Sequence, residues 1–390
     1  EGCSLRYDLV VRTEAGEREP LLLLGRVLAD DEATAAYAAA VEEPAAVAGG
    51  RGGVGAVARL VSVLDPGLVV HPFPIDPDLP TLVAATDPAS VAAPLRRVGL
   101  PVDRCVSELG HYGRRHRCVL RYEVDGAAVE PATVYGKVSA DRRGELLEPT
   151  LRALSGRHDG IEVPTFHAYV PDLRMSLVSE LAGAPALKGA LRAGGHAAAG
   201  LVTDAARVAA ALHADGPELG PVRAMADELR ELGGLVALVR EVTPLLAATL
   251  DEVLGRIATA AAATAPMPLA FSHGDFTPSQ LLADGTSCGL VDFDGVARAE
   301  PALDLGQYVA YLRLAAVKAG VAPADLVAAF LAAYGGGRPS DDLRSRVLVY
   351  ECISLFRTTV HAWQKLKPSR AGMAFALLDE EVACLPPIRH

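Results

Sequence analysis

The chain has 390 residues, about half of them apolar, and a formal net charge of −11. That length buries a full core and leaves room for two or three domains. The acid excess excludes a nucleic-acid backbone as the main partner, because phosphate chains demand a basic surface; a small anionic ligand stays open, since a local basic cluster can oppose the global sign.

Taken in order, residues 5–12 and 21–28 alternate as strands do, and Glu14–Glu17 suits a hairpin between them. Residues 30–48 are Ala-rich and predict a helix that the glycines at 49–53 end. Pro66 to Pro80 reads as an ordered surface crossing. Strands follow at Cys105–Leu109, Arg117–Val124, Thr133–Ala140, Val163–Val170 and Met175–Glu180, with one helical segment near 141–154. From about Ala184 the period becomes helical, over Ala197–His213, Met225–Arg240, Pro244–Ala263, Ala302–Ala319 and Ser340–Lys367, and the tail with Trp363-Gln364-Lys365-Leu366-Lys367 reads as closing helices. Only 269–297 interrupts, as strand-loop-strand.

A strand-rich lobe followed by a helical lobe with a β-rich insert is an α+β order, that of a protein-kinase-like two-lobe fold. The expected parts are an N-terminal α+β extension at 1–100, a small lobe at 101–183 and a helical lobe at 184–390. An internal echo runs through the first two. Cys3-Ser4-Leu5-Arg6-Tyr7 is similar to Cys118-Val119-Leu120-Arg121-Tyr122, and Gly25-Arg26-Val27-Leu28-Ala29-Asp30 to Gly136-Lys137-Val138-Ser139-Ala140-Asp141. The N-terminal part reads as an imitation of the strand lobe.

Six cysteines are scattered along the chain with no C-x-x-C pair, which argues against a zinc ribbon or a thioredoxin-type site and for reduced thiols in a cytoplasm. No apolar run reaches the roughly 18 residues of a membrane span. No basic-then-apolar signal segment opens the sequence.

Phosphoryl transfer asks a protein for a positioner of the attacking hydroxyl, metal ligands and a cation on the phosphates. The segment His273-Gly274-Asp275-Phe276-Thr277-Pro278-Ser279-Gln280 follows an apolar run, and Asp292, seventeen residues beyond Asp275, follows a second one, with Asp294 two residues on. Two strand-ended carboxylates and a side-chain amide make a hard-oxygen set suited to Mg²⁺. A lone Asp in a loop is usually a turn former; the combined spacing is what carries the signal.

This pattern resembles the catalytic and metal loops of aminoglycoside phosphotransferases, choline kinases and related small-molecule kinases. The resemblance implies Asp275 as catalytic base, Asp292 as Mg²⁺ ligand with Asp294 assisting, and Gln280 where the family usually has Asn, a form similar to that of maltokinase-like sugar kinases. His273 is expected to be structural, Asp304 a cap for the helix that follows, and His213 a packing residue. Lys137 resembles the lysine that reaches the α/β-phosphates, with Glu145 or Glu148 as its helix partner and Glu145 preferred. Gly110 and Gly113, with Arg114 and Arg115, would form the nucleotide-covering turn. Glu180, Leu181 and Ala182 would form the hinge, where adenine pairs with backbone. ATP, with GTP as an alternative, and Mg²⁺ are the implied cofactors.

The implied activity is phosphorylation of a hydroxyl on a small molecule: an aminoglycoside, a sugar or another natural product. Between Asp251 and Asp304 stand eight acidic and two basic residues, which suits a cationic aminosugar; from Arg338 to His390 the balance is eight basic to six acidic, which does not. Two rival readings are a non-catalytic kinase-like nucleotide- or partner-binding protein, which Gln280 favours, and a hydrolase using the same carboxylates, which Lys137 disfavours.

Overall fold

A computed structural model describes residues 3–12, 16–49, 62–64, 67–100, 102–113, 117–126, 129–140, 144–155, 161–285 and 288–386. In chain order the elements are β1 (Cys3–Arg12), β2 (Arg18–Val27), α1 (Asp31–Gly49), β3 (Ser62–Leu64), β4 (Leu68–Pro72), α2 (Leu82–Ala85), α3 (Pro88–Arg97), β5 (Arg104–Gly113), β6 (Arg117–Gly126), β7 (Val129–Ser139) and α4 (Gly144–Leu154). Then come β8 (Ile161–Glu162), β9 (Phe166–Val170), β10 (Met175–Ser179), α5 (Leu187–Ala193), α6 (Gly195–Asp215), α7 (Met225–Val242) and α8 (Pro244–Ala263). The chain closes with β11 (Ala270–Ser272), β12 (Leu281–Ala283), β13 (Cys288–Leu290), β14 (Ala297–Ala299), α9 (Ala302–Ala319), α10 (Ala324–Tyr334), α11 (Asp341–Gln364) and α12 (Pro368–Ala383). The fold is mixed α+β with a helical C-terminal part. Among the described residues no helix is long and apolar enough to cross a membrane.

The chain packs as two compact units, Glu1–Glu148 with Thr165–Glu180, and Pro149–Pro164 with Leu181–His390. The first unit holds two antiparallel sheets, ordered β1-β2-β4-β3 and β5-β6-β7-β10-β9. Leu79, Leu82, Val91 and Leu95 share one core with Leu120, Tyr122, Val138 and Met175 of the second sheet. Full burial of each large side chain contributes about 1.5–3 kcal/mol, so residues 79–95 are fastened to that sheet.

The sequence echo is also an echo of register. Cys3, Leu5 and Tyr7 of β1 face Val27, Gly25 and Leu23 of β2. Cys118, Leu120 and Tyr122 of β6 face Val138, Gly136 and Val134 of β7 in the same order. A Cβ on Gly25 would lie 3.3 Å from the Tyr7 ring, and one on Gly136 would lie 2.6 Å from the Tyr122 ring, so in both hairpins the glycine makes room for the tyrosine. Arg26 takes the place of Lys137, opposite Val69 of β4 where Lys137 faces Ser176 of β10. A helix follows β2 as one follows β7, and β3 flanks β4 as β9 flanks β10.

The Pro-rich stretch corrects an expectation. It is not a surface crossing: its described part supplies β4, and Val69, His71, Ile75, Asp76 and Leu79 are buried. Alternation in Leu-Val-Val-His is masked by the prolines, which seat the chain at the end of the strand. The polar groups there answer one another. Arg26 pairs with Asp78 at 3.4 Å and lies over the Tyr37 ring, Tyr37 Oη bonds His71 Nε2 at 3.1 Å, and Tyr112 donates to Asp76. Burial pushes the His71 imidazole down to about 4.

The second unit is helical around two small sheets, β11-β14 and β12-β13-β8. The helix expected over Ser340–Lys367 is α11. Ser340 is its N-cap, accepting the Leu343 N–H at 3.1 Å. Pro368 opens α12 at a position where a missing N–H costs nothing. The strand expected from Val163 begins instead at Phe166, and Ile161–Glu162 joins β13 as a separate parallel strand. Inside this unit the guanidinium of buried Arg346 (α11) forks onto Glu300, with Nε to Oε2 at 2.6 Å. Its Nη1 also donates to the Ala261 carbonyl at 2.8 Å, which ties α11 to α8.

Candidate active site

The loop after β11 is built around a close backbone crossing. Gly274 has φ of +76°, and a Cβ there would sit 1.9 Å from the Gly295 carbonyl oxygen. Only glycine passes, which is the physical reason for the residue between His273 and Asp275. The crossing brings the loop against the turn that follows Asp292. Asp292 itself, just after β13, has φ of +70°, a strained conformation for a residue with a side chain.

His273 is fully buried. Its Nε2 lies 3.0 Å from the Val291 carbonyl, which can only accept, so Nε2 carries the hydrogen. Its Nδ1 accepts the Asp275 N–H at 3.3 Å. The ring is thus a strut between the two carboxylate-bearing loops.

Asp304 differs from its expected role. It sits in the first turn of α9 and does not cap that helix. Its fully buried carboxylate accepts the His273 N–H at 2.7 Å and the Gly274 N–H at 2.8 Å, and His213 Nε2 lies 3.2 Å away. Burial alone would raise this carboxyl, but the His213 bond, the histidine rings and the Gly274 N–H hold it below the usual range. His213 is itself braced by the Tyr334 hydroxyl at 3.0 Å.

The reactive geometry is compact. Asp275 Oδ1 accepts from Gln307 Nε2 at 2.8 Å, and Oδ2 from Gln280 Nε2 at 3.2 Å. The same Gln280 nitrogen lies 3.4 Å from Asp292 Oδ2, so one amide joins the two carboxylates. Burial raises the Asp275 carboxyl, with the Asp292 charge adding to it, while His273 and the Gln280 and Gln307 bonds restrain the rise. Asp294 follows in the 3-10 turn Phe293–Gly295, half-buried.

Asp275, Gln280 and Asp292 are therefore brought together. Gln280 reaches them through its amide nitrogen; to ligate a metal it would offer the oxygen, which a half-turn of the amide presents. Among the described residues no three His, Cys, Asp or Glu side chains are grouped as a metal cage. Gln307 was missed by sequence reasoning. Its signal was the spacing Asp304-x-x-Gln307, which puts both side chains on one face of α9.

Leu181 and Ala182 lie in this same unit. A Cβ on Gly289 of β13 would be 2.4 Å from Leu181 Cδ2, so Leu181 packs on the hairpin leading to Asp292. The other expected nucleotide residues belong to the first unit. Lys137 is half-buried on β7. Glu145 is exposed in the first turn of α4, and Glu148 is half-buried one turn on. Gly110 falls at the register shift between Leu109 and His111, and Gly113 faces Arg117 near the hairpin tip. Arg114 and Arg115 lie outside the described residues. Glu180 accepts from the Tyr135 hydroxyl at 3.2 Å.

The model of the phosphotransferase enzyme family, APH, matches residues 140–345. Among solved structures, a choline/ethanolamine kinase family protein from Mesorhizobium loti superposes with a TM-score of 0.52 at 17% identity, over 71% of this chain and 92% of that one. The GDP complex of a variant aminoglycoside 2'-phosphotransferase-IIIa gives 0.54 at 15% identity, over 76% and 97%. A choline kinase from Cryptosporidium parvum Iowa II gives 0.53 at 10% identity, over 76% and 95%. At these identities the likeness establishes a shared kinase-like fold. No curated protein matches the chain by sequence. With the family model spanning more than half of its length, including the Asp275 and Asp292 loops, the chain belongs to the phosphotransferase enzyme family and is a small-molecule kinase.

Proposed function

We propose that the protein transfers the γ-phosphoryl group of ATP or GTP to a hydroxyl of a small molecule, with Asp275 as the base. The observation that carries this reading is the Asp275 carboxylate, gripped by the Gln307 and Gln280 amides and linked through Gln280 to Asp292. Two fixed donors hold the carboxylate in one orientation, and burial makes it more basic than an ordinary aspartate.

The acceptor hydroxyl gives its proton to Asp275 as its oxygen bonds to the γ-phosphorus. The bond from that phosphorus to the β–γ bridging oxygen breaks, and the nucleoside diphosphate leaves with the electron pair. Asp292 and Asp294, with the Gln280 oxygen, would hold Mg²⁺, which when bound neutralises charge on the β- and γ-phosphates. Lys137 is assigned to the α/β-phosphates with Glu145 as its partner, and the Gly110–Gly113 hairpin to the cover over them. Glu180, Leu181 and Ala182 are assigned to the base. Guanine nucleotide is a reasonable donor because a structural relative was solved with GDP.

The test is a nucleotide-binding and acceptor screen with Mg·ATP and Mg·GTP on the wild-type protein and on Asp275→Ala. Binding retained with turnover lowered about 10²–10⁴-fold is the expected result for loss of a general base. Absence of nucleotide binding in the presence of Mg²⁺ overturns the reading as a whole; unchanged turnover in Asp275→Ala overturns the assignment of the base.

A further inference from the structure

The loop that carries Asp275 forms one wall of a cavity of about 540 Å³, within the size range of small-molecule sites. Pro278 and Ser279 contribute that wall, three and four residues beyond Asp275. The start of α5, the last two turns of α9 and the start of α12 supply the others. All of these elements belong to the second unit.

The charge of this lining runs against the rest of the protein. Lys188, Lys318, Lys367 and Arg370 line the cavity, and no acidic residue does. Among the described residues none of the four makes an ion pair with a carboxylate. The Arg370 guanidinium lies over the Tyr311 ring with 5.8 Å to the centroid. In a chain with a net charge of −11, four cations around one concavity with no internal counter-charge concentrate a positive field at that spot.

The acid excess between Asp251 and Asp304 does not reach it. Asp251 pairs with Arg240, Glu300 with Arg346, and Asp304 is spent on the loop backbone. None of the eight acids of that stretch lines the cavity. A cationic aminosugar was one acceptor left open beside a sugar or another natural product, and this lining offers no carboxylate to a cation.

We propose that the acceptor carries an oxyanion, a phosphate or carboxylate group, seated on Lys188, Lys318, Lys367 and Arg370, in addition to the hydroxyl it presents to Asp275. This inference rests on the kinase reading for its second half; the seating of the anion stands on the cavity alone. The apolar faces of Leu187, Leu314, Tyr311 and Met373 would cover the carbon skeleton, and Ser279 and Ser369 would meet its polar groups.

The experiment is a calorimetric titration of the full chain with matched probes: glucose 6-phosphate, gluconate and inorganic phosphate as anions, glucose as neutral partner, glucosamine as cation. The expected result is binding of at least one anionic probe in preference to glucose and glucosamine, weakening as salt is raised. The double variant Lys367→Gln/Arg370→Gln weakens that binding roughly tenfold or more. Lys365→Gln removes one positive charge beside but outside the cavity and leaves the dissociation constant unchanged. Preference for glucosamine or glucose, failure of every anion to bind, or anion binding indifferent to the double variant overturns the proposal. A separate titration of wild type with Mg·ATP reports on the kinase reading, so nucleotide binding with a neutral or cationic acceptor sinks this inference and leaves that reading standing.

Discussion

Gln307 Nε2 donates to Asp275 Oδ1 at 2.8 Å, from a helix that begins 27 residues further along the chain. A donor on a carboxylate stabilises its ionised form and lowers its proton affinity. Gln307 thus opposes the burial and the Asp292 charge that raise Asp275. As the base, Asp275 acts only when ionised, so activity falls as pH drops through its raised pKa. Gln307→Leu removes the restraint, and the acid limb of the kcat/KM profile moves to higher pH. Loss of one bond to a charged group also lowers kcat by about tenfold or more. A pH–rate profile of the two proteins measures both effects, and a limb that stays put or moves to lower pH refutes the assignment.

Gly274 and Gly285 make a matched pair, both at positive φ. A Cβ at 274 meets the Gly295 oxygen at 1.9 Å, whereas one at 285 meets nothing within 4 Å. Gly285→Ala should cost about 1–2 kcal/mol of stability from the left-handed backbone alone and keep its activity. Gly274→Ala forces the two carboxylate loops apart and should lower kcat by about 10²-fold or more. Thermal melts with initial rates on each variant separate strain from displacement.

Arg346→Met leaves Glu300 buried without its cation and should destabilise the second unit by about 3–5 kcal/mol in urea unfolding. The double variant Arg346→Met/Glu300→Leu should recover much of that loss, because the uncompensated charge is then gone. Met267 N–H, which donates to Glu300 Oε2 at 3.0 Å, limits the recovery.

His71 predicts a pH dependence of stability in the first unit. Its folded pKa is pushed from 6.5 down to about 4, chiefly by burial. Between those values the unfolded chain binds the extra proton, so stability is full above pH 6.5 and declines as pH falls toward 4. The loss over that window is on the order of 3 kcal/mol. Denaturant titrations from pH 7 to 4.5 should show the decline, and His71→Gln should flatten it.

Much of this protein was legible in its sequence. The long helices, the strands and the His273–Gln280 and Asp292 loops are local patterns, since side-chain period and glycine placement report what a segment does on its own. Even the resemblance of residues 3–30 to residues 118–141 was readable, because hairpin register follows from alternation. The Pro-rich segment was misread because propensity marks prolines as surface while burial is decided by what packs over them.

Tertiary structure alone decided the rest. Asp304 was visible, but that it holds the His273 and Gly274 amides and leaves its own helix uncapped depends on where α9 lands. Gln307 is an ordinary helix residue until that landing puts it on Asp275. The basic cavity is the clearest case: Lys188, Lys318, Lys367 and Arg370 come from three separated stretches in an acidic chain, and charge counted over stretches of the sequence pointed in both directions. Sequence order averages charge over neighbours in the chain, whereas a ligand meets charge summed over neighbours in space.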